Sequence, residues 1–366
     1  MMERSNDVSR KINLLRQYML DKKKNAVLIR RTDNFAWITS GARSYVSITN
    51  FFGAAFVIVT SDRSYVLTKN MESKRLKNEE LEELTDNFEI VEIPWFEDIE
   101  KSTINFLSGK DFVDDSENEF SNFLSHSRVE LSEYEISNYK NLGFKSTEAL
   151  ERSMKKIDRN MTEIEVKALV EYELTKAGLD VLLVLVYGDK SRLLYRHNLP
   201  RNLKIGNKCI VSICAKEKGL VASVTRTVEF EKDVEFEKQH RINAVIDTQI
   251  LEELSKTYSL SEMFSKIKEI YRKNGYPEEW KLHHQGGITG YNSREFISTP
   301  YSNVNIKNNM AFAWNPTITG TKFEDTYLKT ENGIIPLTFI ANSNWPVLNL
   351  EINGNQYQKA DVLFLS

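Results

Sequence analysis

The chain has 366 residues, 41% of them hydrophobic and 28% charged, with a formal net charge of -3. That length holds two ordinary domains with well-buried cores, and the near-neutral balance excludes a basic nucleic-acid surface and an anionic-membrane partner. No apolar run approaches the ~18 residues of a membrane-spanning helix, the opening MMERSNDVSRK lacks a signal-peptide core, and cysteines occur only at 209 and 214; a cytoplasmic location is therefore expected.

In chain order, apolar Ile12, Leu15, Tyr18 and Met19 predict a helix over 7–22. Its closing lysines, Lys22 to Lys24, would meet the negative end of the helix dipole. Strands follow from Ala26 (AVLIR), Ala54 (AAFVIVT) and Ser64 (SYVLT), then a charged helical stretch from Met71, a strand from Phe88, a helix over 96–107 and a short strand from Asp111. This alternation predicts a small α/β layer domain over 1–130. Ser132 with Glu135, and Thr162 with Glu165, form two capping boxes. Each opens a helix, the first long and amphipathic, the second ending near Lys176. Strands at Val181, Cys209 and Leu220 precede helices over 233–255 and 261–274, and turn-rich strand pairs fill the remainder. Residues 131–366 therefore read as an α+β domain. Cys209 and Cys214 lie on one strand with opposite facing, so no disulfide joins them.

Four segments of the second half gather the unusual polar residues. YRHNLPRNLKIGNK from Tyr195 places His197 and Asn198 before a Gly-containing turn and a buried strand, at an element edge where sites tend to lie. VSICAKEKGLVASVTRTVEF from Val211 reads as a hairpin turning at Gly219, with Ser212, Ser223 and a Thr225-Arg226-Thr227 ending. KLHHQGGITGYNSREF from Lys281 sets His283 and His284 beside two glycines, whose backbone N–H groups are accessible. AFAWNPTITGTKFEDT from Ala311 carries Asn315, Glu324 and Asp325 among strand residues. His197, His283 and His284 are three of five histidines in the chain, and their concentration in these segments points to a site.

In order and spacing, the four segments resemble the creatinase/aminopeptidase P family of pita-bread hydrolases over essentially the whole chain. The resemblance implies an α+β pita-bread C-terminal domain over 131–366, a smaller α/β creatinase-type N-terminal domain over 1–130, and a homodimer. NFAWITSG from Asn34 is similar to the family's N-terminal signature. It makes Arg31, Asn34 and Trp37 candidates to reach a partner's active site, with a core residue as the favoured reading of Trp37. The hairpin matches a pattern in which two aspartates precede x-Thr-Arg-Thr, so Ser212 and Ser223 stand where the aspartates would. His284 matches the metal-binding histidine of an H-x-x-G turn, Asn315 stands at a ligand glutamate, and Glu324 matches the last ligand.

Three of the five ligand positions have thus lost a carboxylate. A metal pair brings about four positive charges within ~4 Å and needs carboxylates to balance them, whereas hydroxyls and an amide are weak neutral ligands. The expectation is no metal cofactor, or a single weakly held divalent ion. The resemblance to creatinase, which also lacks the metal aspartates, implies a metal-independent hydrolase of a C–N bond in a small molecule or peptide. Its general acid/base would be His197, with His284 polarising a carbonyl and Glu324 orienting an imidazolium or holding a cationic substrate group. Asn198, His283, Tyr291, Glu295, Arg226 and Asn315 are candidate substrate-binding residues; pairing of Arg226 with a local carboxylate is the equal alternative. Two other readings stand beside this one: a metal-dependent X-Pro aminopeptidase or dipeptidase, and a non-catalytic module that binds a peptide or protein.

Overall fold

The computed structural model describes residues 2–365. By its internal contacts the chain divides into two units, Met1–Asn138 with Lys218–Leu220, and Tyr139–Glu217 with Val221–Ser366. The division falls inside the helix Glu133–Met154.

The first unit is built on a five-stranded sheet of β1 (Ala26–Arg31), β2 (Phe52–Thr60), β3 (Ser64–Lys69), β4 (Glu89–Ile93) and β5 (Phe112–Asp114), in the order β4-β3-β2-β1-β5. The central strands pair antiparallel, while β4 and β5 join the edges in parallel. Alternate residues of the strands, among them Ala26, Leu28, Phe56, Ile58, Leu67 and Ile93, form one buried cluster, as the two-residue period of a strand requires. The opening helix runs Arg4–Lys22 and ends with Lys23 in the left-handed region at φ 55°. Lys22 and Lys24 meet Glu119 and Asp111, so the basic run is pinned by side chains as well as by the dipole.

Two features of this unit differ from the sequence expectations. The charged stretch from Met71 is not one helix: Asn70–Arg75 widens into a π turn, Leu76–Glu80, and tightens again at Glu82–Leu84. Leu76, Leu81 and Leu84 are each buried along this stretch, and Arg43 and Arg75 hold Glu80 at the wide turn. In addition, NFAWITSG starts within a short helix, Thr32–Ile38. Asn34 lies inside the fold, donating to Asp115 at 3.0 Å and accepting from Arg128, and Trp37 is a core residue. Arg31 is tied to Asp33 and stacks on Phe51. Asn34 and Trp37 are therefore structural, not groups offered to a partner's site.

The second unit carries the candidate site. Both capping boxes are formed: at the end of the first unit the Ser132 N–H donates to Glu135 at 2.8 Å and the Glu135 N–H returns to the Ser132 hydroxyl, opening helix Glu133–Met154. The Thr162–Glu165 box opens helix Glu163–Lys176. One sheet contains β6 (Asp180–Tyr187), β7 (Lys208–Glu217) and β8 (Leu220–Glu229). A second contains β9 (Gly286–Thr289), β10 (Phe296–Ile297), β11 (Met310–Trp314), β14 (Asp325–Thr330) and β15 (Gly333–Pro336), in the order β10-β9-β11-β14-β15, with the short pair β12 (Thr317–Ile318) and β13 (Thr321–Lys322) set off from it. The hairpin of β16 (Val347–Ile352) and β17 (Asn355–Ala360) follows, and β18 (Leu363–Phe364) closes the first sheet against β8. Helices Val234–Lys256 and Leu260–Lys273 complete the unit, the former adding Ala244 to a cluster with Phe323, Leu348 and Leu350.

Candidate functional site

The hairpin of β7 and β8 turns through Lys218 at φ 47° and Gly219 at φ 81°. Two consecutive positive φ values match the right-handed twist of the strands, which is why a glycine closes this turn. Both strands are buried almost end to end, so their polar side chains must find partners inside. The Ser212 hydroxyl bonds Thr225 Oγ1 across the pair at 2.7 Å, and Ser223 Oγ lies 3.3 Å from Cys214 Sγ. Small neutral groups thus fill the positions where the resemblance placed carboxylates.

Histidines approach from two other segments. His283 and His284 precede β9, whose Gly286 has φ +114° and would drive a Cβ to 2.2 Å from the Ala313 carbonyl oxygen. Only glycine permits that approach of β9 to β11, and the approach fixes where both imidazoles emerge. His197 comes from the loop after β6, which is pinned at both sides. The Tyr187 hydroxyl donates to the Arg196 carbonyl at 2.7 Å, and the Asn198 amide donates to the Val186 carbonyl at 2.6 Å. The His197 and His283 rings lie 4.8 Å apart with Nε2 to Nε2 at 3.0 Å, and the His284 ring lies tilted, 4.6 Å from His283. His197 is exposed, His284 half-buried and His283 buried. Burial, then the charge of Lys322, lowers the pKa of His197 and holds His283 far below the usual imidazole range. His284 is pushed down to about 4 by burial and by Arg294. All three are neutral at pH 7. His197, expected from sequence as the general acid/base, thus has a pKa below the ordinary imidazole value.

Glu324, buried before β14, is the charged centre of the cluster. Arg294 donates to its Oε1 at 2.8 Å, Lys322 Nζ stands 3.1 Å from its Oε2, and Thr225 Oγ1 lies 3.4 Å away. Burial would raise its pKa, but the two cations hold it below the ordinary glutamate range. Lys322 stays protonated: burial disfavours the ammonium ion, and the charge on Glu324 outweighs that. The carboxylate expected to orient an imidazolium or hold a substrate cation is therefore occupied by two side-chain cations.

The other candidates separate into three groups. Arg226 is fully enclosed, bonded to Glu151 at 3.0 Å, to Asp325 at 3.1 Å and to the Thr338 carbonyl at 2.7 Å; it is a structural ion pair, not a substrate contact. Asn198 is likewise buried and committed to its loop. Glu295 accepts from the Tyr291 and Asn292 N–H groups and closes the turn, with Tyr291 buried in it. Asn315 remains available: its side-chain oxygen is buried and has no hydrogen-bond partner among the described residues. Lys322 and Arg294 were missed as site residues. Lys322 and Glu324 are two apart in an extended segment, so the strand period alone puts them on one side.

A dinuclear metal centre does not fit these residues. The hairpin offers hydroxyls already bonded to Thr225 and Cys214, and the one carboxylate of the cluster is saturated by Arg294 and Lys322. One nitrogen each of His197, His283 and His284 lies within 4.8 Å of the others, a grouping with the ligand type for a single ion. Lys322 acts on all three rings electrostatically, which opposes a cation there.

Within the second unit, two sheets with the hairpin, the histidine turn and the Glu324 strand converging define a pita-bread fold. The profile of metallopeptidase family M24 matches residues 137–331, more than half of the chain, and the chain belongs to that family. The fold is similar to a prolidase from Thermococcus sibiricus, with TM-score 0.74 and 19% identity over 93% of this chain and 98% of that one. It is similar to the X-Pro aminopeptidase of Thermotoga maritima, with TM-score 0.71 and 21% identity over 91% and 98%. The N-terminal domain of FACT complex subunit SPT16 from Cicer arietinum also matches, with TM-score 0.65 and 13% identity over 92% and 97%. At these identities the likeness carries the fold. No match was found among curated proteins.

Proposed function

We propose that this chain is a hydrolase of a C–N bond in a small molecule or peptide, working without a dinuclear metal centre and with His197 moving the proton. The observation that carries the reading is the occupation of Glu324 by Lys322 and Arg294. A neutral, exposed His197 accepts a proton from water as the water oxygen bonds to the carbonyl or amidine carbon, then returns it to nitrogen as the C–N bond breaks. Its Nε2 contact with His283 fixes the ring. The bond count closes with one water consumed and no redox step. In this reading His284, also neutral, donates to the polarised oxygen. Membership of a metallopeptidase family supports the bond class, and the lost carboxylates support the departure from its metal chemistry. The reading includes a homodimer and a cytoplasmic location, as expected from sequence.

Hydrolysis of X-Pro dipeptides, N-acyl amino acids and amidino amino acids should be followed with and without a chelator. Turnover of one class should survive chelation, and His197→Ala should lower its kcat by about 100-fold or more, the scale of a lost general base. Unchanged rates in His197→Ala would remove His197 from the mechanism. The likeness to a domain of a complex subunit favours one second reading, a non-catalytic binding module. It gains if none of the three classes is turned over.

A further inference from the structure

We propose that Lys322 and Arg294 are built-in side-chain cations that take over the charge role of a divalent metal pair, closing the site to metal ions and setting fixed positive charge beside His197 and His284. The inference rests on the hydrolase reading only for what that charge acts upon; the exclusion of metals stands by itself.

Lys322 and Arg294 bring two positive charges to one carboxylate, Glu324, leaving one positive charge over. Lys322 and Glu324 side chains are each 6% exposed and Arg294 10%. Burying an ammonium ion costs several kcal/mol even with a partner, and an apolar side chain of similar volume is often as stable. A surplus buried cation among neutral imidazoles is therefore a poor choice for stability. It is a good choice for a site where negative charge develops, because a fixed cation in a low-dielectric pocket stabilises an oxyanion without reorganising.

Local geometry agrees. Arg294 reaches Glu324 and also lies 3.4 Å from Ser223, spanning the carboxylate and one of the hairpin serines. Its Nε is buried and has no partner among the described residues, and the same holds for the Nδ1 atoms of His283 and His284. Lys322 approaches the opposite oxygen of Glu324, next to Thr225, which bonds the other serine, Ser212. The two cations thus bracket the single carboxylate from both sides, over the two serines. A divalent ion approaching Glu324 would have to displace both salt bridges and face the surplus charge at close range.

Titration of Mn2+ into the purified protein by calorimetry tests this without reference to turnover. The wild type should show no saturable binding up to millimolar Mn2+. Lys322→Met/Arg294→His, which frees Glu324 among imidazoles, should acquire a site at least about 100-fold tighter, while Lys322→Arg/Arg294→Lys, which keeps both charges, should not. Should the double variant fail to fold by circular dichroism, the single variants Lys322→Met and Arg294→His carry the test with the same expected direction. Saturable Mn2+ binding by the wild type that Glu324→Gln abolishes would overturn the proposal. So would a folded, cation-free variant that still binds no Mn2+. A wild type that excludes Mn2+ yet turns over no substrate defeats the hydrolase reading and leaves the metal exclusion intact.

Discussion

At the scale of single residues, charge placement separates structure from chemistry. Arg226 and Arg294 both pair with carboxylates, but Arg226 is wholly enclosed between Glu151, Asp325 and Thr338, whereas Arg294 joins the histidine cluster. Removing Arg226 strands two buried carboxylates, a class of change that costs about 3–5 kcal/mol. Arg226→Met should therefore lose about that much stability in urea unfolding, whereas His197→Ala, at an exposed position, should stay within about 0.5 kcal/mol. A loss in Arg226→Met no larger than in His197→Ala would return Arg226 to the list of functional side chains. The resemblance located the right neighbourhood but shifted by one position in the turn: Glu295 holds the N–H groups of Tyr291 and Asn292, and its neighbour Arg294 enters the site. Which of two adjacent charged residues faces inward depends on the turn's backbone path, which spacing alone does not encode.

Among the elements, the sequence was most informative where local chemistry fixes the conformation. The Ser132–Glu135 and Thr162–Glu165 boxes form as their spacing demands, and the hairpin turns at Gly219. The stretch from Met71 was less legible, because its change from α to π pitch accompanies the burial of Leu76, Leu81 and Leu84, which helix propensity does not encode. Ser212 and Ser223 could be recognised as substitutions, yet their replacement partners, Lys322 and Arg294, come from distant segments that meet Glu324 only in the folded chain. The histidine turn shows how an element sets a site. Gly286 lets β9 approach β11, and a Cβ there would meet backbone, not a movable side chain. Gly286→Ala should cost at least about 2 kcal/mol, as expected for a positive-φ position with no room, and should also weaken any function that depends on His283 and His284. A stable Gly286→Ala protein with unchanged thermal unfolding would show that the β9–β11 approach is not set by this residue.

For the whole molecule, family membership and the state of the site point in different directions. The pita-bread scaffold and the match to metallopeptidase family M24 are intact, while the carboxylate of the site, Glu324, is paired with Lys322 and Arg294. The scaffold's hydrogen bonds and core do not require the metals: the hairpin is held by its own ladder, by Ser212–Thr225 and Ser223–Cys214 contacts, and by the Arg226 ion pairs. A fold can thus keep its geometry while its site changes chemistry. The most direct measurement is elemental analysis of the purified protein after incubation with excess manganese, cobalt and zinc and subsequent desalting. The account predicts well under one ion per chain; about two per chain, the content of a dinuclear centre, would contradict it and make the metal-dependent X-Pro peptidase the reading to pursue.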